Sequence, residues 1–236
     1  MEFVFLGIFF VATAIHLYAR LNKKARLRDI SKVCIVAPLI LLYVFAVDEI
    51  NVFVVLALIA CWIGDILLVM HGIKWFVLGG ISFWIAHACF IVAYNYEINY
   101  ELIPLWVLIV IPVIMVCSMS IVLYKLKPYV KKPLFIPTCG YLLFNGSMNV
   151  FAIFRLVTGI ALSSSVGSAY IGPLFTVIGA LLFLISDSTL FFARFNKNSI
   201  MHTHFLVMLT YSLGELLIVL GLIIGGWYKR LYITIL

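Results

Sequence analysis

The chain has 236 residues, of which 66% are hydrophobic and 11% charged, with a mean hydropathy of +1.23. Soluble domains draw close to half their residues from apolar types, so this composition excludes a water-facing globular surface. The net charge of +7 would suit nucleic acid, but the basic residues stand at the ends of apolar runs. There they set topology and meet lipid head groups, so membrane lipids and no nucleic acid are the expected partners.

A bilayer core about 30 Å thick takes roughly 20 apolar residues per helix. In chain order, apolar runs predict spans at 2–20, 31–47, 51–70, 75–95, 102–124, 134–158, 168–192 and 200–225. Charges, Pro, Asn or Gly break each from the next. The first run is similar to a signal-peptide core, but Glu2 precedes it and basic residues follow, which predicts a retained helix. The runs are long and continuous rather than alternating, against a β-barrel. Backbone groups in lipid must then be satisfied inside helices. The expected fold is all-α, one polytopic bundle of eight membrane-spanning helices forming a single domain over residues 1–236.

Loop charge orients the bundle. Arg20, Lys23, Lys24, Arg26, Arg28 and Lys32 follow the first span, and Lys74 lies between the third and fourth. Lys125, Lys127, Lys131 and Lys132 lie between the fifth and sixth, and Arg194 and Lys197 between the seventh and eighth. The opposite connections carry Asp48, Glu49, Glu97 and Glu101. The positive-inside rule then puts both termini away from the cytoplasm, with Lys229 and Arg230 running against it. Cys34, Cys61, Cys89, Cys117 and Cys139 all fall in apolar segments without a C-x-x-C pair, so neither a disulfide framework nor a thiolate metal site is indicated.

Ionisable groups deep in a span cost several kilocalories per mole unless paired or hydrated, so their presence needs a reason. Asp65, His87, Asp187 and Glu215 are such groups. From the predicted boundaries, Asp65 and Asp187 each lie about five residues, roughly 8 Å, from the basic end of their helices. His87 and Glu215 lie roughly 18 and 22 Å from that side, with Tyr211 one turn from Glu215. Gly79, Phe83 and His87 share a helical face, as do Gly179, Phe183 and Asp187, and Tyr211 with Glu215. Asn145, Asn149 and Arg155 form a polar stripe on the sixth span that could meet a head group. A lone intramembrane aspartate can serve merely to bond a neighbouring helix; a pair at one depth points to a site. His16, His202 and His204 sit near span ends and read as interfacial.

At these residues a family resemblance enters. Trp62-Ile-Gly-Asp65-Ile-Leu-Leu68, then Gly79-x3-Phe83-x3-His87, then Gly179-Ala-Leu-Leu-Phe183-x2-Ser186-Asp187-Ser188, then Thr210-Tyr211 with Glu215 resemble the YhhN-like lysoplasmalogenase family. The resemblance implies an eight-helix membrane hydrolase. It would cleave the vinyl ether bond of lysoplasmalogens to a fatty aldehyde and glycerophosphocholine or glycerophosphoethanolamine.

Vinyl ether hydrolysis begins with protonation of the alkene carbon, giving an oxocarbenium ion that water captures as a hemiacetal. A carboxyl group withdrawn from water, with a second carboxyl nearby, favours its protonated form. Its partner can stabilise the cation or activate water. Asp65 and Asp187 are the expected acid and base, supported by His87, Tyr211, Glu215 and Ser186. No cofactor is expected. Zinc held by Asp65, His87, Asp187 and Glu215 is a weaker alternative, because no H-x-x-x-H or H-E-x-x-H spacing occurs. A proton- or cation-coupled transporter or channel is the alternative outside enzymes.

Overall fold

Within lipid a backbone amide finds no water to bond, so each apolar run closes its hydrogen bonds on itself as a helix. The computed structural model describes residues 1–196 and 201–235, with side chains described for all of these except 164–166, 201, 202 and 227–235. The helices are α1 (Glu2–Leu21), α2 (Ala25–Ala46), α3 (Val52–Val69), α4 (Ile73–Asn95), α5 (Leu105–Leu126), α6 (Lys132–Val166), α7 (Ile171–Phe195) and α8 (Met201–Ile235). A single 3-10 turn, Tyr100–Leu102, lies between α4 and α5. All eight helices are long and apolar enough to cross a membrane, and no strand occurs among the described residues. The protein is a multi-pass, all-α membrane protein. Lys197, His202, Lys229 and Arg230, which entered the topology and interface readings, lie outside the described side chains.

Boundaries differ from the hydropathy reading where helices continue through polar turns. α2 begins at Ala25 rather than 31, because Arg28 pairs with Asp29 at 2.7 Å and Ser31 donates to the Leu27 carbonyl. α7 runs three residues beyond 192, and its last turn is fixed by Arg194, whose guanidinium lies over the Phe76 ring. Backbone bonding is local, so a helix needs no apolar residue to add another turn.

Short connections make consecutive helices antiparallel, which collects the basic connections at one end, called the basic end below. Contacts close α2, α3, α4, α6, α7 and α8 into a ring, in that order, with α8 returning to α2. α1 packs outside against α2 and α8, and α5 packs outside against α6. Burial follows this plan: 67% of the apolar window of α8 is buried, against 17% for α5.

The tightest seam joins α7 to α8. A Cβ on Gly179 would lie 2.6 Å from the Gly214 carbonyl oxygen, and one on Gly172 would lie 2.5 Å from the Gly225 amide. Small residues let the two backbones touch where lipid offers no hydrophobic drive to associate. This close approach carries the α7 and α8 side chains into the ring interior.

Candidate active site

Asp187 projects from α7 and is 4% exposed. Tyr141 donates its hydroxyl to Asp187 Oδ2 at 2.5 Å, and Asn145 donates its amide to the same oxygen at 2.7 Å. These donors stand four apart on α6 and therefore share a face. His87 of α4 brings Nε2 to 3.8 Å from that oxygen. One carboxyl oxygen is thus surrounded by three groups from two helices.

Asp65 projects from α3 and is equally withdrawn from solvent. Tyr211 of α8 donates its hydroxyl to Oδ2 at 2.8 Å. Lys32 of α2 places Nζ 3.3 Å from Oδ1, with 12% of its own side chain exposed. Sequence reasoning assigned Lys32 to the basic cluster that sets topology. A signal was present: Lys32 shares a helical face with Ile35 and Leu39, three and seven residues on, both fully buried.

Aromatic rings fill the space between the two carboxyl groups. Phe83 meets Phe183 edge-on at 6.1 Å and Tyr211 at 5.9 Å, while His87 packs against Phe183 at 5.0 Å and Tyr141 at 5.5 Å. Gly64 makes room for this layer, since a Cβ there would lie 2.6 Å from the Phe83 ring.

Glu215 lies one turn beyond Tyr211 on α8 and is completely buried, with Cys61 and Tyr211 facing its carboxyl. Neither of its oxygens has a hydrogen-bond partner at good geometry, nor does either ring nitrogen of His87, the Tyr94 hydroxyl or Asn149 Oδ1. Buried polar atoms are almost always satisfied by protein or by water. These atoms on α4, α6 and α8 thus place unbonded polar groups in the ring interior.

Each of the six ring helices contributes a polar side chain to this interior: Lys32, Asp65, His87, Tyr141 with Asn145, Asp187, and Tyr211 with Glu215. Tyr141 was missed in the sequence because a tyrosine four residues before an asparagine resembles many interfacial tyrosines. Other expected members lie elsewhere or are occupied. Ser186 donates to the Val207 carbonyl at 2.9 Å and so ties α7 to α8. Asn149 donates to the Asn145 carbonyl at 3.0 Å.

Arg155 lies ten residues, about 15 Å, along α6 from Asn145, away from the basic end. It donates to Glu97 at 2.6 Å, to the Thr176 hydroxyl at 2.6 Å and to the Gly221 carbonyl at 3.3 Å. Its guanidinium pins the α4–α5 connection to the bundle rather than joining the carboxyl site. His16, expected at the interface, is fully buried and bonds the Arg28 carbonyl at 3.0 Å, because α1 packs along α2 there. His204 is partly exposed.

The arrangement offers chemistry without an evident metal cage. No group of three or more His, Cys, Asp or Glu side chains among the described residues is arranged to hold a metal ion. Asp65 has a cation beside it, whereas the donors to Asp187 are neutral. Two carboxyls with such unlike company can divide proton donation from charge stabilisation.

No curated protein and no solved structure shows a match to the chain. A family model does match, described as the YhhN family, and it covers residues 27–222, from the first turn of α2 into the second half of α8. Every side chain of the ring site falls within that stretch, and the chain belongs to the YhhN family.

Proposed function

We propose that this protein is a membrane hydrolase that cleaves the vinyl ether bond of lysoplasmalogens, releasing a fatty aldehyde and glycerophosphocholine or glycerophosphoethanolamine. The observation that carries the reading is the pair of buried aspartates in one ring interior, one beside Lys32 and the other held by neutral donors. Asp187 delivers its proton to the alkene carbon. The carboxylate of Asp65, kept charged by Lys32, stabilises the oxocarbenium ion and takes a proton from the water that captures it. The hemiacetal then gives its hydroxyl proton to the Asp187 carboxylate as the carbon–oxygen bond to glycerol breaks, and Asp65 passes the proton it took from water to the departing glycerol oxygen. Both carboxyl groups return to their starting states.

Tyr141 and Asn145 hold Asp187 in place, and Tyr211 does the same for Asp65. His87 and Glu215, both fully buried in the same interior, position the water. The basic end faces the cytoplasm by the charge of its loops. A transporter built on midplane carboxylates is expected to carry discontinuous spans; the eight helices here are unbroken.

The test is aldehyde release by purified protein in detergent, from a lysoplasmenyl lipid against its saturated ether analogue. The vinyl ether alone should be cleaved, since protonation of an alkyl ether gives no stabilised cation by this route. Asp65→Asn and Asp187→Asn should each slow turnover by about 10²–10⁴-fold, the usual scale of general acid–base catalysis. Full turnover by both variants refutes the mechanism. Absence of aldehyde from the parent protein, together with ion or solute flux in liposomes, refutes the activity.

A further inference from the structure

Outside the ring, α4, α6 and α7 part to leave a cavity of about 300 Å³ open toward lipid. Its walls include Phe76, Gly80, Trp84, Gly140, Tyr141 and Phe191. The two glycines face each other's helices across open space: a Cβ at Gly80 or at Gly140 would meet nothing within 4 Å. That contrasts with Gly179 and Gly172, where backbone fills the same volume. The groove is therefore unfilled room, with glycine on both walls. Aromatic contacts brace its ends, Trp84 on Phe144 at 4.9 Å and Phe76 on Phe191 at 5.8 Å.

The groove adjoins the carboxyl site, with Tyr141 as the wall they share. Tyr141 lines it and at the same time donates its hydroxyl to Asp187. Pro137 also lines it, and a proline within a helix removes a backbone bond and disfavours straight packing against a neighbour. At its basic-end mouth the Arg194 guanidinium lies 5.0 Å from the centre of the Phe76 ring and is exposed. Arg194 stands seven residues, about 10 Å, from Asp187 along α7. A glycerol backbone and an arginine side chain together bridge such a gap.

We infer that this groove is a lateral entry site for a single-chain lysophospholipid arriving from the bilayer, with its phosphate at Arg194 and the first carbons of its chain beside Tyr141. The inference rests on the hydrolase reading for what happens next, but not for binding. A helix from a partner or a second copy is about 10 Å across and does not fit a space of this volume, whereas one hydrocarbon chain does. The cationic mouth matches an anionic phosphate, and the apolar walls match a chain. Gly80 and Gly140 then act as specificity residues that set the width available to it.

The experiment uses the full chain in detergent with two probes: a saturated 1-O-alkyl lysophospholipid carrying a diazirine in its chain, and a lysoplasmenyl lipid of the same length. Photolabelling should fall on residues 76–84 and 134–141. Gly80→Leu and Gly140→Leu should each lower it by about tenfold, the scale of closing an apolar pocket by a few carbons. Gly7→Leu, on α1 outside the groove and with nothing within 4 Å of its Cβ, should label as the parent does, and thermal melting of each variant confirms that it is folded. Labelling spread evenly over outer helices such as α1 and α5, with aldehyde still released, overturns the groove and leaves the hydrolase standing. Groove labelling lost in the leucine variants, with no aldehyde from the parent, supports the groove and overturns the hydrolase.

Discussion

Replacing Arg155 with methionine removes a guanidinium that is 1% exposed and joins four elements. Breaking a buried ion pair from one side costs about 3–5 kcal/mol, because the remaining charge is left uncompensated. Two features put this case at the lower bound. Glu97 keeps 20% of its side chain exposed and can recover water, and Thr176 retains its bond to the Gly172 carbonyl at 3.2 Å. A loss of about 3 kcal/mol in a chain of this size lowers Tm by roughly 6–12 °C. Thermal unfolding in detergent measures it, and Arg155→Met combined with Glu97→Gln should recover part of the loss, which a double-mutant cycle isolates. KM for choline and ethanolamine lysoplasmalogens should stay unchanged, because Arg155 lies far along α6 from Asn145. Unchanged melting with a head-group-dependent rise in KM would refute this reasoning and place the guanidinium on the substrate.

Two further outcomes follow from the same geometry. Tyr141→Phe deletes the 2.5 Å hydrogen bond to an Asp187 oxygen that becomes charged as the proton leaves, while Asn145 keeps its own; a bond to a charged group is worth about 1.5–3 kcal/mol. Aldehyde release should therefore slow by about 10- to 100-fold, and a parent-like rate would remove Tyr141 from the site. Gly179→Leu drives a side chain into the Gly214 carbonyl and the α8 backbone, which cannot rotate away. Overpacking of this kind costs at least about 1–3 kcal/mol, so the yield of folded protein should drop sharply, while Gly7→Leu, with nothing within 4 Å, should express as the parent does.

Much of the candidate site was legible because burial of charge in lipid is costly and a long apolar run advertises every exception. Asp65, His87, Asp187 and Glu215 stood out for that reason, and the structure brings the two aspartates into one interior with His87 and Tyr211 beside them. Lys32 did not stand out, because a lysine near a span end has a ready explanation in topology. Tyr141 did not, because a tyrosine carries no charge to account for. Arg155 did stand out, yet its partners Glu97, Thr176 and Gly221 come from three separate segments that no local pattern could join.

The number of spans, the helical class and the sharing of faces by residues four apart follow from the sequence alone. Each span must satisfy its own backbone in lipid, so the information is local. The order of helices around the ring was decided by tertiary packing, in which α4 passes over α5 to meet α6 and α8 returns to α2. That closure depends on which small residues meet across a seam, and it alone sets Lys32 against Asp65 and Tyr141 against Asp187. Hydropathy treats all lipid-facing surface alike, so the groove beside Gly80 and Gly140 becomes visible once three neighbouring helices are in place.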